Sequence, residues 1–390
     1  MIKLYRSVLF FSLVSMLITC KEPYDPPAIA DAPSYLVVEG FINLNAATNI
    51  RLSRSTQLKD TSQVQPETRA ILIIEDEQNG NYMLSETAVG NYTLPPGLSA
   101  GKKYRLRIKT ASSSEYLSEF VEALQTPEID SLNFKIRNDG VQFYSNTHDA
   151  ENKIKYYRWD FDETWRYTAL FYSTVEYING TLERRLSDNS IWSCWKTNFS
   201  NQIILGSSAN LSSGVIVDNP VSFVTAESGK ATFGYSILVR QYALDKEAFE
   251  YWQTLKKNTE QLGSIFDPQP SVASGNIRCI TNPEEPVIGY LSASSVTSKR
   301  LFFSNSNLPF HSPSYVPPPS IEDCKLLGIS IDPASDFASR VIQTFSSGEF
   351  VPVEPIAALG QGIIGYSYAP KECVDCREMG GTSIKPSFWP

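Results

Sequence analysis

A mainly all-β chain is predicted, with an N-terminal β-sandwich followed by a larger β-rich domain that carries one docked α-helix. Three observations predict it. Short apolar or alternating runs recur about every ten to fifteen residues from Ser34 onward. Turn residues, Asn79-Gly80 among them, separate these runs. Helical spacing of apolar residues stands out in one stretch alone, after Asp245.

The first unit is expected over residues 34–126, as an immunoglobulin- or transthyretin-like sandwich. Its strands are read at 35–42, 70–76, 90–94 and 103–109. In the last of these Tyr104, Leu106 and Ile108 share one face and basic residues the other, the alternation of a half-buried strand. A boundary falls near Gln125-Thr126-Pro127. Residues 127–390 form the second unit, with strands at 155–162, 234–242, 275–280, 287–292 and 299–304. The helix is expected near 245–262. Asp245 caps it, Ala248, Phe249, Trp252 and Leu255 line one face, and Lys256 and Lys257 suit its C-terminal dipole. Gly263 is expected to stop it, and Phe266-Asp267-Pro268-Gln269-Pro270 then reads as a loop or extended segment.

Residues 1–19 carry a different message. A short basic start, with Lys3 and Arg6, precedes an apolar run from Val8 to Ile18. As a helix that run would rise roughly 16 Å, about half of a ~30 Å hydrocarbon core, which is too short for a stable span. It ends Leu17-Ile18-Thr19-Cys20, which resembles a lipobox, although Thr19 departs from the usual residue before the cysteine. Cleavage before Cys20 and acylation of its thiol are expected. The alternative is an unprocessed anchor with an incidental cysteine. Several acyl chains at ~0.8 kcal/mol per buried CH₂ would hold the protein firmly on a membrane. Residues 20–33 then read as an acylated tether, rich in proline and charge. Lys21, Glu22 and Asp25 resemble the surface-export signal of Bacteroidota lipoproteins; the plain alternative is a polar linker.

Composition narrows the function. The chain of 390 residues has a net charge of −8, and removing residues 1–19 with Lys3 and Arg6 takes it to −10. That sign gives no electrostatic route to a phosphate backbone, so no nucleic-acid partner is expected. Five cysteines follow Cys20: Cys194, Cys279, Cys324, Cys373 and Cys376. Clustering in the last third fits disulfides formed outside the cytoplasm. Cys279 and Cys324 are expected to pair with Cys373 and Cys376, leaving Cys194 as a buried single thiol.

Each candidate for chemistry has a plainer reading. His148 lies in a loop-like stretch beside Asp149, and His311 lies among prolines. The elbow-like stretches around Ser236 and Ser367 lack the closing glycine of a hydrolase nucleophile turn. Cys373-x-x-Cys376 reads as structural rather than redox-active, and a zinc site lacks a second close-spaced pair. Asp160, Asp162 and Glu163 are the densest acidic cluster, flanked by Trp159 and Trp165, a composition suited to glycoside hydrolysis or sugar binding. Alternation instead puts Asp160 and Asp162 on one solvated face, with Trp159 and Phe161 inward. No catalytic residue, metal or cofactor is assigned.

Several blocks carry a family resemblance: Tyr157-Arg158-Trp159, the run Tyr235 to Tyr242, Leu255 to Glu260, Gly263 to Pro270, Gly275 to Cys279, Pro286 to Tyr290 and the tail from Cys373 to Thr382. Together the chain resembles domain-of-unknown-function family 4249. The resemblance implies a Bacteroidota lipoprotein of the outer membrane, surface-exposed or facing the periplasm, often encoded beside a TonB-dependent transporter. It implies no catalytic residue. The expected function is that of a non-enzymatic accessory subunit of a TonB-dependent transporter, aiding cargo capture or uptake. A surface glycan hydrolase and a structural or adhesion module are the alternatives.

Overall fold

A computed structural model of the protein describes residues 34–56, 64–211, 213–260, 273, 275–304, 324–332 and 336–390. The chain is mainly β, as expected, and its strands fall into two large units and one small one.

In the first unit the strand pairings close on themselves. Lys103–Lys109 pairs with Ile71–Asp76, followed in order by Asn81–Ala88, Asn91–Leu94, Thr48–Arg54 and Leu36–Asn43. Ala293–Ser294 and Val121–Leu124 complete the circuit back to Lys103–Lys109. Alternation decides what faces inward: Tyr104, Leu106 and Ile108 are buried with Leu72, Ile74, Leu36 and Ile50. On the opposite face Arg105 and Arg107 each bring Nε to 2.6 Å from the Glu75 carboxylate.

One assignment changes. Residues 275–294, expected in the second unit, belong to the first. Ile277–Cys279 pairs with Glu115–Ser118, and Val287–Ile288 pairs in parallel with Leu36 and Val37. Ile277, Cys279, Leu291 and Ala293 are buried in the first core. The returning chain runs so close that glycine is required. Gly289 has φ +139°, and a Cβ there would lie 2.2 Å from the Val38 carbonyl oxygen.

The second unit is itself a two-layer packing. One sheet runs Ser193–Phe199, Tyr156–Thr168, Tyr235–Leu244 and Val296–Phe303, with Ile204–Ser207 also pairing to Tyr156–Thr168. The other runs Ile129–Arg137, Gly140–His148 and Val215–Thr225. Tyr157, Trp159, Phe161, Phe143, Ile237, Val239 and Phe303 fill the space between them. Gln241, fully buried there, accepts from Trp159 Nε1 at 2.8 Å and donates to the Pro127 carbonyl and Thr147 Oγ1. Its amide is thereby satisfied, as a buried polar group must be.

The helix, α1, spans Lys246–Glu260, and Asp245 Oδ1 accepts from the Ala248 N–H at 2.7 Å, the expected cap. Phe249 packs on Tyr156, with ring centroids 4.9 Å apart, and Lys256 Nζ donates to the Ile203 carbonyl. The expected stop at Gly263 and the segment Phe266 to Pro270 lie outside the described residues.

The small unit was not anticipated as a separate body. Its sheet runs Leu327–Ser330, Gly362–Pro370 and Phe350–Ala358, beside a hairpin of Val175–Ile178 and Thr181–Arg184. Two further helices belong to it, α2 (Phe337–Phe345) and the short α3 (Lys371–Val374), so one helix is a correction. The cysteine pairing differs in part. Cys324 is bonded to Cys373, within the expectation, but Cys194, expected single, is bonded to Cys376. Cys279, expected to be paired, is a free thiol, 2% exposed. The reason is topological. Backbone hydrogen bonds between Trp195 and Thr382 draw the final turn onto the strand that carries Cys194, whereas Cys279 leaves with the first unit.

Candidate functional site

The acidic cluster sits on the long strand Tyr156–Thr168. As alternation requires, Trp159 and Phe161 point into the core while Asp160 and Asp162 share the outer face. They are not free carboxylates. Arg240, opposite Asp160 on the neighbouring strand, donates from Nε to Asp160 at 2.6 Å. Its two terminal nitrogens reach Asp162 at 2.8 and 2.7 Å. That fork geometry favours the charged guanidinium, and the Asp162 hydrogen bonds raise its pKa further despite burial. Tyr242 donates to Asp160 at 2.7 Å, and burial, aided by that carboxylate, pushes its phenol up to about 12.

Glu163 faces the other way and is 7% exposed. Its carboxylate accepts from Lys230 Nζ and from Tyr235 Oη. Each member of the predicted acidic cluster is therefore held by a cation and a tyrosine, or by a two-pronged arginine. The arrangement knits strands together. A general acid or a nucleophile would need a carboxylate open to substrate. Next to the cluster, Arg158 lies between the Tyr242 and Trp252 rings, at 4.3 and 4.7 Å, and ties α1 to the sheet.

The remaining candidates are held just as firmly. His148 Nδ1 lies 2.8 Å from Asp130 at the surface, and that hydrogen bond raises the imidazole's pKa. Ser236 accepts from Arg300, and Ser367 donates to the Glu354 carbonyl; neither meets a histidine in these contacts. Cys373 and Cys376 are bonded to different partners rather than to each other. Among the described residues no cluster of His, Cys, Asp and Glu could hold a metal ion. Cys20, Lys21, Glu22, Asp25 and His311 lie outside the described residues.

An open cleft of about 730 Å³ lies where the first two units meet, lined by Glu122, Glu128, Asp130, His148, Asp149, Glu151 and Lys153 among others. Asp149 in its wall has a structural task. It accepts from the N–H groups of Glu151, Lys153 and Ile154 at 3.1, 2.7 and 2.7 Å. Burial alone would raise its pKa, but these donors outweigh burial and the pKa is lowered. A carboxylate with a depressed folded-state pKa stabilises the fold above its unfolded value, and that contribution is lost as pH falls through the folded value. Asp149→Asn is therefore expected to lower the urea midpoint at pH 7, with the gap to the unsubstituted protein narrowing markedly at pH 3.

Two apolar surfaces were missed by sequence reasoning. The first crosses the outer face of the central sheet. Trp389 bridges Phe302 on the edge strand, at 5.9 Å, and Trp195 on the far strand, at 6.3 Å. Phe388 stacks on the Arg300 guanidinium at 3.6 Å. Phe302 and Phe388 remain 38% and 40% exposed, and Ile384 is 76% exposed. The second surface is the hairpin Phe350–Ala358/Gly362–Pro370 of the small unit. Its signal was present in the sequence: Pro355 to Pro370 contains no charged residue.

Fold and site together define a mainly β, disulfide-stapled protein whose densest acidic cluster holds strands together and which exposes two apolar surfaces. The chain belongs to the family described as Domain of unknown function (DUF4249), whose model matches residues 21–300. The match ends inside Val296–Phe303, before the three-stranded sheet of the small unit. No curated protein is significantly similar in sequence. Among solved structures, the two fibronectin type-III domain segment from chicken tenascin matches at 11% identity, over 55% of this chain and 92% of that one. Its TM-score is 0.17, too low for any argument about architecture.

Proposed function

We propose that the protein is a lipid-anchored, non-enzymatic subunit that works by binding a partner, as an accessory to a TonB-dependent transporter in the outer membrane. The observation that carries the partner-binding reading is the aromatic strip of Phe302, Phe388 and Trp389 on the outer face of the central sheet. Aromatic side chains beside an arginine, half-exposed over the face of a sheet, have the composition of interface hot spots. The anchor reading rests on the lipobox-like Leu17-Ile18-Thr19-Cys20, and the transporter reading on the resemblance of the sequence blocks. Confining both partners to one membrane raises their effective concentration, so a modest interface suffices.

The glycan-hydrolase alternative loses its best residues, because Asp160, Asp162 and Glu163 are engaged by Arg240 and Lys230. The test is extraction of tagged protein from its native membrane in mild detergent. A transporter is expected to be recovered with it in stoichiometric amount. The double variant Phe302→Asp/Phe388→Asp should reduce that recovery on the order of tenfold or more, as loss of hot-spot residues does. Equal recovery with both proteins would remove the strip from the interface; recovery of the lipoprotein alone would remove the subunit reading.

A further inference from the structure

We infer that the hairpin tip around Leu359 dips into the lipid surface, giving the folded body a second, non-covalent contact with the membrane. Leu359 has the exposure of a residue in free chain, 105%, at the turn between the two strands. Ile356, Ile363 and Ile364 behind it are 38%, 47% and 36% exposed. Ile363 pairs with Ala357 and shares its face, while Ile356, the neighbour of Ala357 in the strand, points to the other, so both faces of the ribbon carry an exposed isoleucine. A face that packs on a protein needs only one apolar side. An element bare on both sides and at its tip suits immersion in an apolar medium.

The backbone fits shallow insertion. Unpaired N–H groups are costly in hydrocarbon, and Pro355 removes one donor from the exposed part of the outer strand of the hairpin. On the other side, Ile331 N–H pairs with the Ile364 carbonyl at 2.7 Å, leaving the section beyond it as a short two-stranded tip. No charged residue stands between Glu354 and Lys371, so no charge has to be dragged into the interface. The inference rests on the reading of Cys20 as an acylated anchor. Thirteen residues, 21–33, separate that anchor from Ser34, a covalent reach of at most about 50 Å. The body therefore stays within a protein diameter of the bilayer. Because the mature chain is acidic, the contact is expected to be apolar, insensitive to salt and present on uncharged lipid.

The test uses full-length mature protein with its native acyl group, reconstituted on phosphatidylcholine vesicles. An environment-sensitive fluorophore is placed at Leu359→Cys, or at Val89→Cys on an exposed turn of the first unit. The native cysteines do not compete: four are in disulfides, Cys279 is buried, and Cys20 is acylated under the anchor reading. At position 359 a blue shift, a severalfold rise in emission and quenching by spin-labelled lipid are expected, at low and at high salt. At position 89 none of these is expected. Vesicles that float with the protein while the 359 probe stays aqueous would overturn the inference and leave the anchor intact, pointing to a protein groove as the occupant. Failure of the acylated protein to float would remove the anchor reading and this inference with it.

Discussion

Replacing Arg240 by methionine is expected to destabilise the second unit by about 3 kcal/mol, measured as a fall in the urea midpoint at unchanged slope. Methionine keeps much of the length but takes away every donor. Asp160 and Asp162, 23% and 21% exposed, would then lie side by side on one sheet face without the guanidinium that bridges them. Removing one partner of a fully buried pair costs about 3–5 kcal/mol, and partial exposure puts this site at the lower end. Because the loss comes from stranded charge, neutralising the acids should recover much of it. Arg240→Met combined with Asp160→Asn and Asp162→Asn is expected to be more stable than Arg240→Met alone. If the triple variant were the weakest of the set, the carboxylates would have a role that the ion pairs do not describe.

Serine at both Cys194 and Cys376 is expected to cost about 4 kcal/mol, the scale for a cross-link closing a long loop. The bond joins residues 182 apart in sequence and ties the strand of the central sheet to the turn that follows α3. Cys373, within α3 itself, is bonded to Cys324 across a separation of 49. Losing the Cys324–Cys373 bond is therefore expected to cost less and to act within the small unit. The Cys194/Cys376 change should also loosen the aromatic strip, because Thr382 and Trp195 exchange backbone hydrogen bonds just beyond the disulfide. Thermal melts of the two double-serine variants would show this order. Equal losses would mean that loop length does not govern their contributions.

Local chemistry explains which elements could be read in advance. Tyr104, Leu106 and Ile108 alternate with basic residues because one face is core and the other water, and that pattern is visible without knowing the partner strand. Asp245 and the apolar face behind it marked α1 in the same way. The returning segment could not be read so. Val287–Ile288 and Ala293–Ser294 pair over two residues each, too short for any period, and the glycines that permit the approach report only that something is close. The exchange of Cys194 for Cys279 as the partner of Cys376 went unread for a related reason. Cys194 sits in Trp-Ser-Cys-Trp, which reads as a buried strand, and nothing local says that the last turn of the chain docks there. At the acidic cluster the two faces were legible, but Arg240 lies 78 residues beyond Asp162, and only sheet register brings the fork to both carboxylates.

The most direct test of the partner-binding account is a photo-crosslinking amino acid at position 388 in the full-length protein, activated in intact cells of the native host. A second site at Glu39, exposed on the first unit, serves as the reference. The account predicts one dominant adduct from position 388, with an outer-membrane transporter, lost when Cys20 is replaced by alanine and absent from position 39. Adducts of equal yield from both positions, or none from position 388 while the protein is properly anchored, would contradict it.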